Sequence, residues 1–251
     1  MSNKSRSLAI NSIMIAVSTA IIATILHELG HYAVAVYYEM NPELHHNYVI
    51  TFGEGTPDQQ AIRAAAGPIV SLLLGIIFIV ISVKIVKPSL TKLFLTWFGM
   101  QNLLIFFGYL LIAPIAKKGD TGKVFDHLGV PSYVSITISL LSFVVISILY
   151  GRFAKEFVYY KNEETFVLSE NKRQLFLYPI LGSIVIVTLL NLPIVTWISL
   201  LPTVFMPMAY FATMGRYRKI GISDAPLIIA TVSMPLLIIT ILSIVLFRFL
   251  V

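Results

Sequence analysis

Long stretches of this chain run for twenty residues or more without a single charge, among them Ser7 to Leu26, Leu93 to Ile115 and Gln174 to Gly215. A helix that crosses a bilayer core needs about twenty predominantly apolar residues, and these runs supply that length repeatedly. Composition agrees: 57% of the 251 residues are hydrophobic and 12% are charged, against about a quarter charged in ordinary soluble domains. The mean hydropathy is +0.87. The chain therefore reads as an integral membrane protein with no sizeable soluble domain.

Taken in order, spans are expected at about Leu8 to Tyr37 or Tyr38, Ile62 to Val86, Leu93 to Ile115 and Pro131 to Tyr150. Gln174 to Gly215 is long enough for two more, broken at Asn191-Leu192-Pro193 and kinked by Pro202 and Pro207. Ala225 to Phe247 makes a last one. The expectation is an all-α polytopic transmembrane helix bundle of seven spans, or six if one half of the long run is re-entrant, with a short strand or hairpin after the first. Lys4 and Arg6 before an apolar run give the N-terminus the look of a signal peptide. The run is longer than a signal core and continues into a polar motif, so it is read as a retained span.

That motif is His27-Glu28-Leu29-Gly30-His31. On a helix, residues four apart share a face, so both imidazoles project side by side. This is the spacing at which two histidines hold one zinc ion, with the intervening glutamate near enough to act on a water held there. Ionisable groups at membrane depth cost about 2.5–3.5 kcal/mol apiece on insertion scales, so such a cluster points to function. The competing reading is a polar network between helices. Cysteine is absent, which leaves His, Asp and Glu as metal ligands and excludes disulfides and thiol nucleophiles. The net charge of +6 is carried by lysines and arginines near span ends. It suits anionic lipid headgroups and, without a dense basic patch, gives no sign of nucleic-acid binding.

Between the first two spans, Glu39 to Gln60 is polar and acidic, and Leu44 to Phe52 within it is rich in strand formers. A short strand or hairpin at the membrane surface is expected there. His45 and His46 read as surface residues rather than ligands, since neighbours in a strand point to opposite sides. The second span opens with Arg63-Ala-Ala-Ala-Gly67-Pro68, small residues that permit close approach of a helix or a metal site. Gln101 and Asn102 lie mid-span and need partners. Asp120 and Asp126 are the only acids between Asp58 and Glu156, so a third oxygen ligand from the middle of the chain is one of these two. Asp120 stands among glycines that let the backbone bend it inward, whereas Asp126 and His127 read as solvated. The mixed-charge segment Arg152 to Arg173 also reads as solvated. With a cytoplasmic N-terminus, thirteen of the eighteen basic residues fall inside, which places the histidine motif nearer the outer face.

His27-Glu28-Leu-Gly-His31, then Ala65-Ala66-Gly67-Pro68, then Asp120-Thr-Gly-Lys123-Val together resemble the site-2 protease family of intramembrane zinc metalloproteases. The resemblance covers about Ile21 to Leu128, the three-helix core of such enzymes. It implies a metalloprotease core over residues 1–130, with further transmembrane helices over 131–251. It also implies Zn2+ held by His27, His31 and Asp120, with Glu28 as the catalytic base. Asn102, Gly67 and Pro68 are the residues the resemblance places near substrate. Tyr48, in the strand-like segment, is the place where an unwound substrate would add as an edge strand. The family pattern has asparagine and proline shortly before an aspartate followed directly by glycine. Here Pro114 is six residues before Asp120, Thr121 follows it, and Asn102 lies far upstream. Family members often carry zinc toward the cytosol, opposite to the charge count.

The activity this implies is hydrolysis of peptide bonds in transmembrane proteins or peptides. The partners would be that substrate, the lipid bilayer and a regulatory membrane protein, and the location a bacterial cell membrane crossed several times. The alternative is a non-catalytic membrane protein, a zinc-binding scaffold or a transporter. A transporter needs ionisable residues along several spans, and the spans after His127 carry none. A scaffold has no need to keep Glu28.

Overall fold

The computed structural model describes residues 3–161, 171–192, 209–223 and 225–250, the side chains of 3–5 excepted. Eight α-helices and one two-stranded sheet make up the regular structure among these residues. In order they are α1 (Asn3–Tyr37), β1 (Pro42–Leu44), β2 (Val49–Thr51), α2 (Pro57–Lys84), α3 (Leu90–Ile112), α4 (Asp120–His127), α5 (Ser132–Phe153), α6 (Tyr178–Leu190), α7 (Tyr210–Tyr217) and α8 (Met234–Phe249). Five helical segments are long and apolar enough to cross a membrane: Arg6–Tyr37, Pro57–Lys84, Leu90–Ile112, Ser132–Tyr160 and Arg173–Leu190. The protein is an all-α membrane bundle, as its apolar runs require. The span expected between Pro193 and Gly215 lies largely outside the described residues.

α1 is the axis of the bundle and packs against α2, α3, α6 and α8. Its apolar window is 78% buried, against 28% for that of α2. A helix apolar on every side is the one a bundle surrounds. Its hydroxyls are neutralised locally, because Ser18, Thr19 and Thr24 each donate to the carbonyl four residues earlier, at 2.7, 2.7 and 3.0 Å. That is how such residues are accommodated where water is absent.

Small residues set the helix spacings. A Cβ on Gly30 of α1 would stand 3.1 Å from the Ala66 carbonyl oxygen of α2. Gly75 of α2 admits Leu103 of α3, and Gly99 of α3 in turn admits Ile79 of α2. α2 begins at Pro57 behind a capping box, in which Thr56 and Gln59 satisfy each other's backbone N–H groups. The expected strand after α1 is a hairpin, pairing Pro42 with Thr51 and Leu44 with Val49.

Three expectations change. The span expected from Ala225 to Phe247 is a shorter apolar helix, Met234–Phe249, because the preceding residues are held in irregular backbone by side chains of α1. Ser7 Oγ donates to Ala230 O (3.0 Å), Asn11 Nδ2 to Thr231 O (2.9 Å), and Ser233 N to Asn11 Oδ1 (2.9 Å). α5 does not stop at Tyr150 but runs on as a 3-10 helix, Ala154–Tyr160. With it, Glu156 and Lys161 are buried rather than solvated. Glu156 Oε2 lies 3.0 Å from Nζ of the equally buried Lys92, which also donates to Ser82 O at 2.6 Å. Lys161 Nζ donates to Ile220 O and stands over the Tyr217 ring.

Candidate metal centre

His27 and His31 lie on one face of α1, one turn apart, and both are buried. Each ring is fixed by its Nδ1. His31 Nδ1 is 2.7 Å from the Arg63 carbonyl oxygen, and His27 Nδ1 is 3.1 Å from Ser71 Oγ. Both anchors belong to α2. A carbonyl only accepts, so the proton of a neutral His31 is on Nδ1 and its Nε2 presents a lone pair. The Tyr109 ring of α3 stacks on His27, 4.9 Å away and 5° from parallel.

α4 delivers the third group. Gly122 makes this possible, because a Cβ there would stand 2.8 Å from Lys117 Cα and closer still to the Ala116 carbonyl oxygen. With none, the helix folds back tightly on the preceding turn. Asp120 Oδ2 then stands 3.1 Å from both imidazole Nε2 atoms, which are themselves 3.1 Å apart. Of the two aspartates open from the sequence, Asp120 is the one that reaches the histidines, and Asp126 is exposed.

Three such electron-rich atoms form an equilateral triangle only around positive charge, either bridging protons or a cation. Donors around a tetrahedral zinc stand about 3.3–3.5 Å apart, given bonds of about 2.0–2.2 Å. The triangle matches that requirement within a few tenths of an ångström. His27, His31 and Asp120 are thus a group that could hold a metal ion. The space is also kept open from the other side. A Cβ on Gly67 of α2 would fall 2.7 Å from His27 Nε2, and nearer to His31 Nε2. Glycine is the one residue that leaves the ligand atoms room.

Beside the triad is a cavity of about 150 Å³. Glu28, His31, Asp120 and Tyr109 line the side toward the triad, and Asn47, Tyr48 and Val49 of the hairpin line another wall. Arg63, Ala64 and Lys123 complete it. The expected base and the expected edge-strand residue therefore reach one space. Pro68 is buried in α2 next to Gly67. Asn102 is placed elsewhere. It is buried within α3, donates to its own helix at Phe98 O (2.9 Å) and does not line the cavity, where the amide side chain is that of Asn47. Its neighbour Gln101 accepts from Tyr210 (2.9 Å).

Neither hairpin histidine joins the triad. His45 stacks on Tyr48 and faces Glu43 at 3.4 Å. His46 is not at the surface as expected; it is buried against Phe247 of α8. His127 pairs with Asp58 at 2.9 Å. Ser71, Tyr109 and Asn47 are the site residues that sequence reasoning missed. Of these only Ser71, one turn beyond Gly67 on the same face of α2, carried a signal. Compared with models of known families, with curated proteins and with solved structures, the chain matches none.

Proposed function

We propose that this chain is an intramembrane zinc metalloendopeptidase, similar in its core to the site-2 protease family. The observation that supports it most is that His27, His31 and Asp120 converge at 3.1 Å while Glu28 lines the cavity beside them. Zinc, when bound, supplies a Lewis acid that lowers the pKa of water to about 7 and polarises a carbonyl.

The rest is done by the chain. His27 Nε2, His31 Nε2 and Asp120 Oδ2 would hold the ion, their orientation fixed by Ser71, the Arg63 carbonyl and the stacked Tyr109. Glu28 takes a proton from the attacking water and passes it to the leaving amine, so that one water and one peptide bond become a carboxylic acid and an amine, which ionise to carboxylate and ammonium. A helical substrate buries its carbonyls in its own hydrogen bonds and must unwind to be attacked. The hairpin wall of Asn47, Tyr48 and Val49 offers the unwound piece a surface.

The test is zinc stoichiometry alongside cleavage of a transmembrane peptide in detergent. Glu28→Gln retains zinc while cleavage falls by about 10²–10⁴-fold, the share of a general base. His31→Ala loses both. A protein that binds no zinc, or whose Glu28→Gln form cleaves normally, is not this enzyme.

A further inference from the structure

Two cations on the cavity wall have no role in the chemistry above. Arg63 projects from α2 and Lys123 from α4, and both line the cavity with Glu28 and Asp120. Among the described residues neither forms an ion pair. Arg63 is half-buried, and its Nε is shielded from solvent without a hydrogen-bond partner. A buried donor left unmade is costly, so a guanidinium held this way is set up for an acceptor that arrives from outside. The carbonyl of the same residue accepts from His31 Nδ1 at 2.7 Å, and Arg63 lines the cavity together with Glu28 and Asp120. An anion on Arg63 would therefore share that cavity with the proposed base.

Charge balance points the same way. With a divalent ion on the triad, Asp120 and Glu28 offset the ion, and Arg63 and Lys123 remain in excess. We infer that Arg63, with Lys123 at the rim, is a carboxylate-binding subsite that makes the enzyme favour cleavage next to an acidic group. The inference rests on the protease reading. Planar, two-pronged recognition of carboxylate is what a guanidinium does best. Two sources carry that group: an aspartate or glutamate side chain flanking the cut, or the free C-terminus of a peptide. A site that hydrogen-bonds a substrate group discriminates strongly against analogues lacking it, because its own donors are otherwise left unpaired.

The experiment uses the full-length, zinc-loaded protein in a zwitterionic detergent, with a randomised mixture of apolar peptides and cut sites read by mass spectrometry. Wild type is expected to enrich Asp, Glu or a terminal carboxylate beside the cut by about tenfold or more. Arg63→Gln, which keeps the backbone carbonyl that holds His31 and so keeps zinc stoichiometry, abolishes that enrichment by lowering cleavage of acidic peptides far more than of neutral, C-terminally amidated ones, and Arg63→Lys restores part of it. Lys123→Gln weakens it by about two- to threefold, as befits an exposed charge.

Amidating the peptide ends distinguishes the sources: enrichment that survives comes from side chains, and enrichment that disappears comes from the C-terminus. Binding to the Glu28→Gln protein, read by fluorescence anisotropy of matched Glu and Gln peptides, should show the same dependence on Arg63 without turnover. Cleavage with no acidic preference, a preference that persists in Arg63→Gln, or an equal fall on neutral and acidic peptides overturns the subsite and leaves the protease intact. Inhibition by phosphatidylglycerol that vanishes in Arg63→Gln assigns the site to lipid phosphate instead. No cleavage of any peptide by zinc-loaded wild type removes the protease reading itself.

Discussion

Two buried polar clusters sit at opposite ends of the α2–α3 pair, and they are built on opposite terms. At one end Lys92 Nζ meets Glu156 Oε2 at 3.0 Å and Ser82 O at 2.6 Å, while Ser82 Oγ and Thr96 Oγ1 bond each other at 2.6 Å. Charge cancels charge and the donors find acceptors. At the other end, about 22 Å away along α2 by helical rise, two imidazole nitrogens and a carboxylate oxygen converge with no lysine or arginine among them. The first cluster is complete in itself and acts as a fastener. The second is a group that could hold a metal ion, and it is the one with a cavity beside it. Burial of charge inside a membrane protein does not by itself mark function; an unbalanced set of groups facing a cavity does.

The comparison breaks most visibly at Lys92. Lys92→Met leaves Glu156 charged and unpaired, and should destabilise the fold by about 3–5 kcal/mol in thermal or denaturant unfolding, with zinc stoichiometry unchanged. Adding Glu156→Leu should recover most of that loss, as a closed pair permits. Gly67→Ala does the reverse. The fold persists, but the new methyl displaces the rings, and zinc affinity in competition with a chelator falls by more than about 100-fold. Ser71→Ala removes the partner of His27 Nδ1 and should weaken zinc by about 10-fold, the low end for an outer hydrogen bond.

The smallest effect concerns His46. Burial, and after it the charge of Arg248, holds its imidazole below the ordinary 6.5. The undocked ring takes up a proton more readily than the docked one. The contact with Phe247 is therefore at full strength above about pH 6.5 and weakens as pH falls through the lower value. Hydrogen exchange of the hairpin amides, corrected for intrinsic rate, should quicken between about pH 7.5 and 5.5 in wild type and not in His46→Phe.

How much of this was legible depended on how local each signal was. The i, i+4 pair His27–His31 carries its geometry in the sequence, because one helix fixes it. Asp120 was narrowed by its being one of two acids in the middle of the chain and by the resemblance. That α4 folds back far enough to place it depends on Gly122 meeting the Ala116 turn, a contact between segments. The hairpin was legible from its strand formers. Its docking of His46 on Phe247, some two hundred residues away, was not. Glu156 misled because alone it resembles a solvated charge beyond a helix end, and only packing of α3 against the extended α5 pairs it with Lys92. Where the Asn102 amide turns was not legible: its NH2 bonds its own helix at Phe98 while its Oδ1 is buried without a partner, and that depends on packing rather than on sequence.

The hairpin that walls the cavity is tied at its tip to the end of the bundle remote in sequence. His46 N donates to Leu250 O at 3.0 Å, Asn47 Nδ2 to Asn191 Oδ1 at 2.7 Å, and Arg248 crosses to the carbonyls of Leu190 and Leu192, both at 3.1 Å. The later helices thus hold one wall of the cavity in place. A substitution in α6 or α8 that loosens these few ties would reshape the cavity from a distance, while His27, Glu28, His31 and Asp120 stay as they are.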